Sequence, residues 1–126
     1  MPERWGVRIE RRHCDLELQE QRTTLIARQK GSNQGFNIVI NNAGFVGTSD
    51  LEGWSVPYEQ QSVKTWRRAL EVNLTAVFDL CQGLNSVLKT ARGASIVNIA
   101  SIYGSFGPDW RLYDGTSMSN PAAYGA

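Results

Sequence analysis

Two short apolar runs, Phe36-Asn37-Ile38-Val39-Ile40 and Ala94-Ser95-Ile96-Val97-Asn98-Ile99-Ala100, constrain the fold of this chain more than any other feature. Each is brief and bounded by Gly or Asn, the pattern of a strand buried on both faces. Between them Val63, Trp66, Leu70, Leu74, Val77, Cys81, Leu84 and Leu88 recur at spacings of three and four. That is one apolar stripe, and it predicts an amphipathic helix from about Ser62 to Ala91, closed by Gly93. Upstream, Glu17 to Lys30 is rich in Glu, Gln, Leu and Arg, good helix formers, with Gly31, Ser32 and Asn33 ending the run. Helices alternating with buried strands predict an α/β fold around a parallel sheet.

At 126 residues the chain is large enough to bury one core and short for a doubly wound enzyme. It is therefore read as one partial domain, residues 1–126, a fragment of a longer unit. Thirteen basic and twelve acidic residues nearly cancel, which gives no reason to expect nucleic acid or an anionic membrane as partner. The local excess of Arg4, Arg8, Arg11, Arg12 and His13 has no interleaved aromatics and reads as a solvated surface segment. Residues 1–12 carry no recognisable motif. Cys14 and Cys81 are too few for a disulfide framework or a zinc site and suit a reducing cytoplasm. One histidine excludes most metal and Ser-His-Asp arrangements, so no metal site is expected. The start, Met1-Pro2-Glu3-Arg4, lacks an apolar signal segment, and no run approaches the roughly 18 apolar residues that span a bilayer.

Ligands of open α/β sheets bind at the carboxyl ends of the strands. Asn41-Asn42-Ala43-Gly44 follows the first predicted strand and Ser101 follows the second, so both stand where a ligand would. Asn41 and Asn42 supply amides for neighbouring strand ends, while Ala43 and Gly44 keep bulk away from a ligand approaching the backbone. Asn73 lies on an apolar shoulder of the long helix and needs a partner there, because an unpaired buried amide costs about 1–3 kcal/mol. Asn120 is a good N-cap and Pro121 a good first helical residue, which places Tyr124 in the opening turn of a helix. Taken singly, each of these residues has an ordinary structural reading: a turn, a satisfied core amide, a packed aromatic.

Taken in order, Asn41-Asn42-Ala43-Gly44, Val72-Asn73-Leu74, Ser101-Ile102-Tyr103-Gly104 and Asn120-Pro121-Ala122-Ala123-Tyr124 resemble the central section of the short-chain dehydrogenase/reductase superfamily. Cys14-Asp15-Leu16 matches the adenine-contacting Asp of the same family, so the resemblance covers about Cys14 to Ala126. It implies a Rossmann-like, doubly wound parallel sheet, here partial. It also implies an oxidoreductase that moves a hydride between NAD or NADP and a small carbonyl or secondary alcohol. Asp15 and Leu16 would lie near the adenine, and Asn41, Ala43 and Gly44 near the ribose and nicotinamide. Asn73, Ser101 and Tyr124 would be catalytic, with Tyr124 also touching the cofactor. Ser101 would polarise the substrate oxygen and Tyr124 would pass the proton. Asn73 would sit at a helix kink whose freed carbonyl holds a relay water. A homo-oligomer in the cytoplasm is the implied setting.

The departures are equally plain. No Gly-x-x-x-Gly-x-Gly phosphate loop follows any predicted strand, and with it goes the strand end that chooses NAD over NADP. A free tyrosine titrates at about pH 10 and wants a neighbouring cation to exchange protons near neutrality. The family's lysine four residues beyond Tyr124 would share its helix face but falls past Ala126. The Ser101-to-Tyr124 span exceeds the family's usual gap, and the extra loop from Phe106 to Thr116 is aromatic and bracketed by glycine, as lids and substrate walls are. Its wording resembles a branch of the family linked to nucleotide-sugar and flagellin-glycan modification, which extends the substrate expectation to a sugar derivative. The rival expectation is an inactive remnant serving as an association module, with Trp66 and Phe78 on the long helix as either core or interface.

Overall fold

The computed structural model describes residues 6–32, 35–48 and 50–126. The segment Met1-Pro2-Glu3-Arg4, with its share of the basic cluster, and the predicted helix stop at Asn33 lie outside them. Helix α1, Gln19–Lys30, leads into strand β1, Ile38–Asn41. After a loop and a 3-10 turn at Tyr58–Gln60 come helix α2, Val63–Leu70, a π turn at Glu71–Thr75 and helix α3, Ala76–Thr90. Strand β2, Ser95–Asn98, two further 3-10 turns at Ile102–Gly104 and Trp110–Tyr113, and the short helix α4, Ala122–Gly125, complete the order.

The expected parallel pairing is present. β1 and β2 run side by side in the register Ile38 to Ser95 through Asn41 to Asn98, and the Ile99 N–H extends the ladder to the Asn41 carbonyl at 3.0 Å. Equal register means that the two carboxyl ends coincide, so the loops after Asn41 and Asn98 leave the sheet together. Between α3 and β2, Gly93 reverses the chain at φ +69°, a conformation with little steric penalty only for glycine.

The strands are shorter than the apolar runs that predicted them, and burial on both faces does not hold. Ile26, Leu80, Leu84 and Leu88 form a core between α1 and α3, and Leu16, Leu25, Phe36 and Val39 pack against it. Residues alternate across a strand, so only the Val39 side of β1 meets that core. Ile38 and Ile40, on the other side, are 55% and 61% exposed. The composition of a doubly covered strand is real, but the described elements cover one face.

The long helix also departs from its predicted stripe. Its ends agree: Ser62 caps α2 through its side chain, which accepts the Thr65 N–H, and Ala91 ends α3. Yet Val63 and Leu74 are exposed, and the buried line runs Thr65, Ala69, Ala76, Leu80, Leu84, Leu88. The π turn inserts extra backbone between α2 and α3 and rotates one face against the other. A strict 3.6-residue extrapolation therefore misassigns the residues on its N-terminal side.

α1 and α3 approach closely at Gly83, where a Cβ would stand 2.5 Å from Ile26 Cδ1. Arg22, nearly inaccessible, joins them by charge: its Nε donates to Asp79 at 2.8 Å and a terminal nitrogen donates to Glu71 at 2.7 Å. A second small core, Trp54, Ala69 and Ala123 with Phe45, Leu51 and Tyr124, seats α4 on α2 beyond the carboxyl ends of the strands.

Candidate functional site

The site is built where the two strands end. Asn41, last in β1, donates its amide to Asn98 Oδ1 at 2.8 Å and approaches Cys81 Sγ at 3.4 Å. The strand-end role expected of Asn41 is thus met by its neighbour in register. Asn42, Ala43 and Gly44 then emerge exposed, with no side-chain bulk over the backbone of the last two.

Asn73 is positioned by the π turn, and its amide is fully used. Oδ1 accepts the Phe45 N–H at 2.6 Å, and Nδ2 donates to the Phe45 carbonyl at 3.1 Å. This two-point clamp fixes the backbone immediately after Gly44, whose added Cβ would stand 3.7 Å from the same Oδ1. The partner that an amide on an apolar shoulder requires is therefore a loop backbone. The expected helix irregularity is real, because π turns interrupt the i to i−4 ladder.

Ser101 begins the 3-10 turn Ile102–Gly104, and its Oγ accepts the Tyr103 N–H at 3.2 Å. The hydroxyl keeps its own proton to donate. Tyr124 lies in α4, half-buried, with its ring edge-to-face on Tyr103 at 6.4 Å between centroids. α4 crosses close to the serine turn, since a Cβ at Gly125 would meet the Tyr103 carbonyl at 3.5 Å. The two tyrosines are not equivalent. Tyr103 shares a hydrogen bond of 3.3 Å with the Tyr113 hydroxyl, and this bond, with the proximity of Tyr113, holds its pKa above the ordinary phenol value.

Asp15 stands in a turn before α1, where one carboxylate oxygen accepts the Glu17 N–H at 3.0 Å and leaves the other free to accept. Two arginines fix that turn. Arg22 donates to the Leu16 carbonyl at 2.5 Å, and Arg68 makes a two-point contact with Glu17 at 2.8 and 3.1 Å. Arg68 also lies over the Phe45 ring, 5.2 Å from its centroid, so one guanidinium links the Asp15 turn to the loop that Asn73 clamps. No local sequence signal singled out Arg22, Arg68 or Phe45, because their side-chain partners Glu71, Asp79, Glu17 and Asn73 lie tens of residues away.

The predicted cap of the last helix needs correction. α4 begins at Ala122 with Pro121 as its cap residue, and no side chain of its own closes it. Gln61 does so instead, accepting the Ala122 N–H at 3.1 Å. Asn120, 5% exposed, points elsewhere, and its Oδ1 is buried with no hydrogen-bond partner, as is Ser119 Oγ. Each such orphan costs about 1–3 kcal/mol.

The arrangement therefore brings Asn41, Ala43, Gly44 and Asn73 to one loop, and Ser101 and Tyr124 to adjoining turns on either side of Tyr103. Asp15 and Leu16 are tied to the same region through Arg22 and Arg68. Among the described residues no group of three His, Cys, Asp or Glu could hold a metal ion, and no helix is long and apolar enough to cross a membrane.

Comparison with known proteins gives the family and the fold. The profile of the short chain dehydrogenase family matches residues 2–116. A 3-alpha-(or 20-beta)-hydroxysteroid dehydrogenase of Mycobacterium bovis is 30% identical over 95 residues, 75% of this chain and 34% of the relative. The crystal structure of a short chain dehydrogenase from Shigella flexneri superposes with TM-score 0.73 at 25% identity, over 98% of this chain and 43% of that one. A short-chain dehydrogenase from Sphingobium yanoikuyae in complex with NADPH gives TM-score 0.71 at 26% identity, over 98% and 42%. The chain thus spans between a third and a half of the length of these relatives.

Proposed function

The chain belongs to the short-chain dehydrogenase family, and from that premise we propose that it carries the carbonyl-reducing half of a nicotinamide-dependent oxidoreductase, with Asn73, Ser101 and Tyr124 in the reacting region. The observation that supports the proposal is that α4, which carries Tyr124, packs on the turn opened by Ser101: the Tyr124 ring meets the Tyr103 ring at 6.4 Å, and the Ser101 hydroxyl accepts the Tyr103 N–H and keeps its own proton to donate.

The residues present suit a nicotinamide dinucleotide. Ala43 and Gly44 offer exposed backbone without bulk at the carboxyl ends of the strands, and Asp15 keeps a carboxylate oxygen for a donor such as an exocyclic amine. Asp15, Leu16, Asn41, Ala43 and Gly44 would hold the group, which when bound supplies the hydride. The NADPH complex of the Sphingobium relative supports this choice of ligand, and NAD serves the same chemistry. The chain's own part is to orient and to move a proton. Ser101 donates to the substrate oxygen, Tyr124 transfers the proton, and the Asn73 clamp keeps the Ala43–Phe45 loop in place.

The test is a chimaera in which this chain is joined to a glycine-loop segment upstream and continued so that a lysine stands four residues beyond Tyr124. Ketone-dependent oxidation of NADH or NADPH is expected. Tyr124→Phe removes only the transferable proton and should lower kcat by roughly 10²- to 10⁴-fold with cofactor affinity little changed, and Ser101→Ala should also lower kcat. An active Tyr124→Phe variant would remove Tyr124 from the chemistry. A chimaera that folds and binds cofactor but never turns over would favour the rival reading, an inactive association module.

A further inference from the structure

We propose that Arg22 is a positioning residue for Asn73: by holding Glu71 and Asp79 on one guanidinium, it keeps the long helix in the π register that delivers the Asn73 amide to Phe45. This inference deepens the reductase reading, on which it rests for the place of Asn73 in the reacting region. Arg22 is 2% exposed. Its Nε donates to Asp79 at 2.8 Å, one terminal nitrogen to Glu71 at 2.7 Å and the other to the Leu16 carbonyl at 2.5 Å. Glu71 opens the π turn, and Asp79 lies in the first turn of α3 beyond it.

The spacing ties this contact to the helix register. Residues eight apart in a regular α-helix stand about 80° apart around the axis and about 12 Å apart along it, so two carboxylates placed that way diverge. In the π turn the Ala76 N–H donates to the Glu71 carbonyl, five residues back, and one extra residue is looped into the helix. Glu71 and Asp79 then stand as residues seven apart do, within about 20° of one face. Arg22 takes both there. Regular α hydrogen bonds compete with a π turn, but the α register would draw one carboxylate away and leave a buried arginine half-paired, which is costly. Asn73 lies at the middle of the same turn, and its amide meets the Phe45 N–H and carbonyl at 2.6 and 3.1 Å. Arg22 spends its contacts on Leu16, Glu71 and Asp79, so its effect on that clamp runs through the turn.

The test uses the chain itself and reads the clamp by NMR. The readouts are the scalar coupling across the hydrogen bond, between the Phe45 amide nitrogen and Asn73 Cγ, and Phe45 amide exchange referred to global stability. Arg22→Met removes the guanidinium and keeps an apolar chain in its place. Loss of the coupling is expected, with Phe45 exchange roughly ten- to hundred-fold faster, the worth of one or two hydrogen bonds. In the Asn73→Ala background the same substitution should change Phe45 exchange little, because the clamp is already gone, whereas a general loosening of the core would speed it in both backgrounds. Glu71→Ala, at a side chain 34% exposed, installs a better helix former and cuts Arg22 from the turn alone. It should reproduce the loss of coupling, and it decides the matter if Arg22→Met does not fold. A coupling that survives Glu71→Ala, or an acceleration by Arg22→Met that is equal with and without Asn73, would overturn the proposal. The reductase reading is tested apart from it. A chimaera without turnover leaves the register result standing, and a clamp indifferent to Arg22 and Glu71 sinks this inference while leaving Ser101 and Tyr124 in their roles.

Discussion

Asn73 shows how one side chain can meet a structural demand and a functional one together. Both of its amide groups are spent on Phe45, at 2.6 and 3.1 Å, so the backbone after Gly44 is held from two sides by a residue in an irregular helical turn. Asn73→Ala removes both bonds and leaves a partly buried N–H and carbonyl without partners. The expected loss is about 1–3 kcal/mol in urea unfolding. Exchange of the Phe45 amide should accelerate by one to two orders of magnitude, while amides in α1 keep their protection relative to global stability. An unchanged Phe45 exchange rate would show that the loop is held by something other than this clamp.

Helix positions and parallel pairing were legible in the sequence because they follow from short-range patterns. The helix formers from Glu17 to Lys30, the ends of the long helix near Ser62 and Ala91 and the glycine turn at 93 all act within a few residues of where they are read. What escaped was long-range. Gln61 capping α4, Arg68 reaching Glu17, and the π turn that displaces the buried line from Val63 and Leu74 to Thr65 and Ala69 depend on contacts or backbone insertions that no window of neighbouring residues encodes. At the site, Asn41, Asn73, Ser101 and Tyr124 could be singled out by order and element. The residues that position them could not. The same logic applies to packing between elements. Gly83 reads only as a poor helix former, yet it is where α3 admits α1, with the Ile26 Cδ1 atom 2.5 Å from any added Cβ. Gly83→Ala gains about 1 kcal/mol of helix propensity and loses roughly 1–3 kcal/mol to overpacking, so net destabilisation is expected. Ile26→Val removes the closest atom. Alone it should cost about 0.5–1.5 kcal/mol, and in the Gly83→Ala background it should be neutral or stabilising, a coupling that a double-mutant cycle in urea measures. Additive effects would mean that α1 shifts bodily to make room.

On the scale of the whole molecule, the described residues cover the sheet on one side only. Val39 meets the core between α1 and α3, whereas Ile38 and Ile40 on β1 and Val97 beside Ile40 on β2 are 55%, 61% and 40% exposed. In relatives of two to three times this length such a surface has more chain available to cover it. A two-stranded sheet with an apolar open face and unpaired edges is a template for association. The chain alone is expected to sediment as concentration-dependent oligomers. The double variant Ile38→Lys, Ile40→Lys places two charges on the open face without touching the core side, so it should shift sedimentation toward monomer while leaving the urea transition cooperative. Val39→Lys, one residue away but facing the core, should instead abolish that transition. If the double lysine variant stays oligomeric, association does not use the sheet. The exposed side of the long helix, where Phe78 is 65% and Trp66 36% exposed, is then the surface to substitute next, with Phe78→Glu expected to yield the monomer.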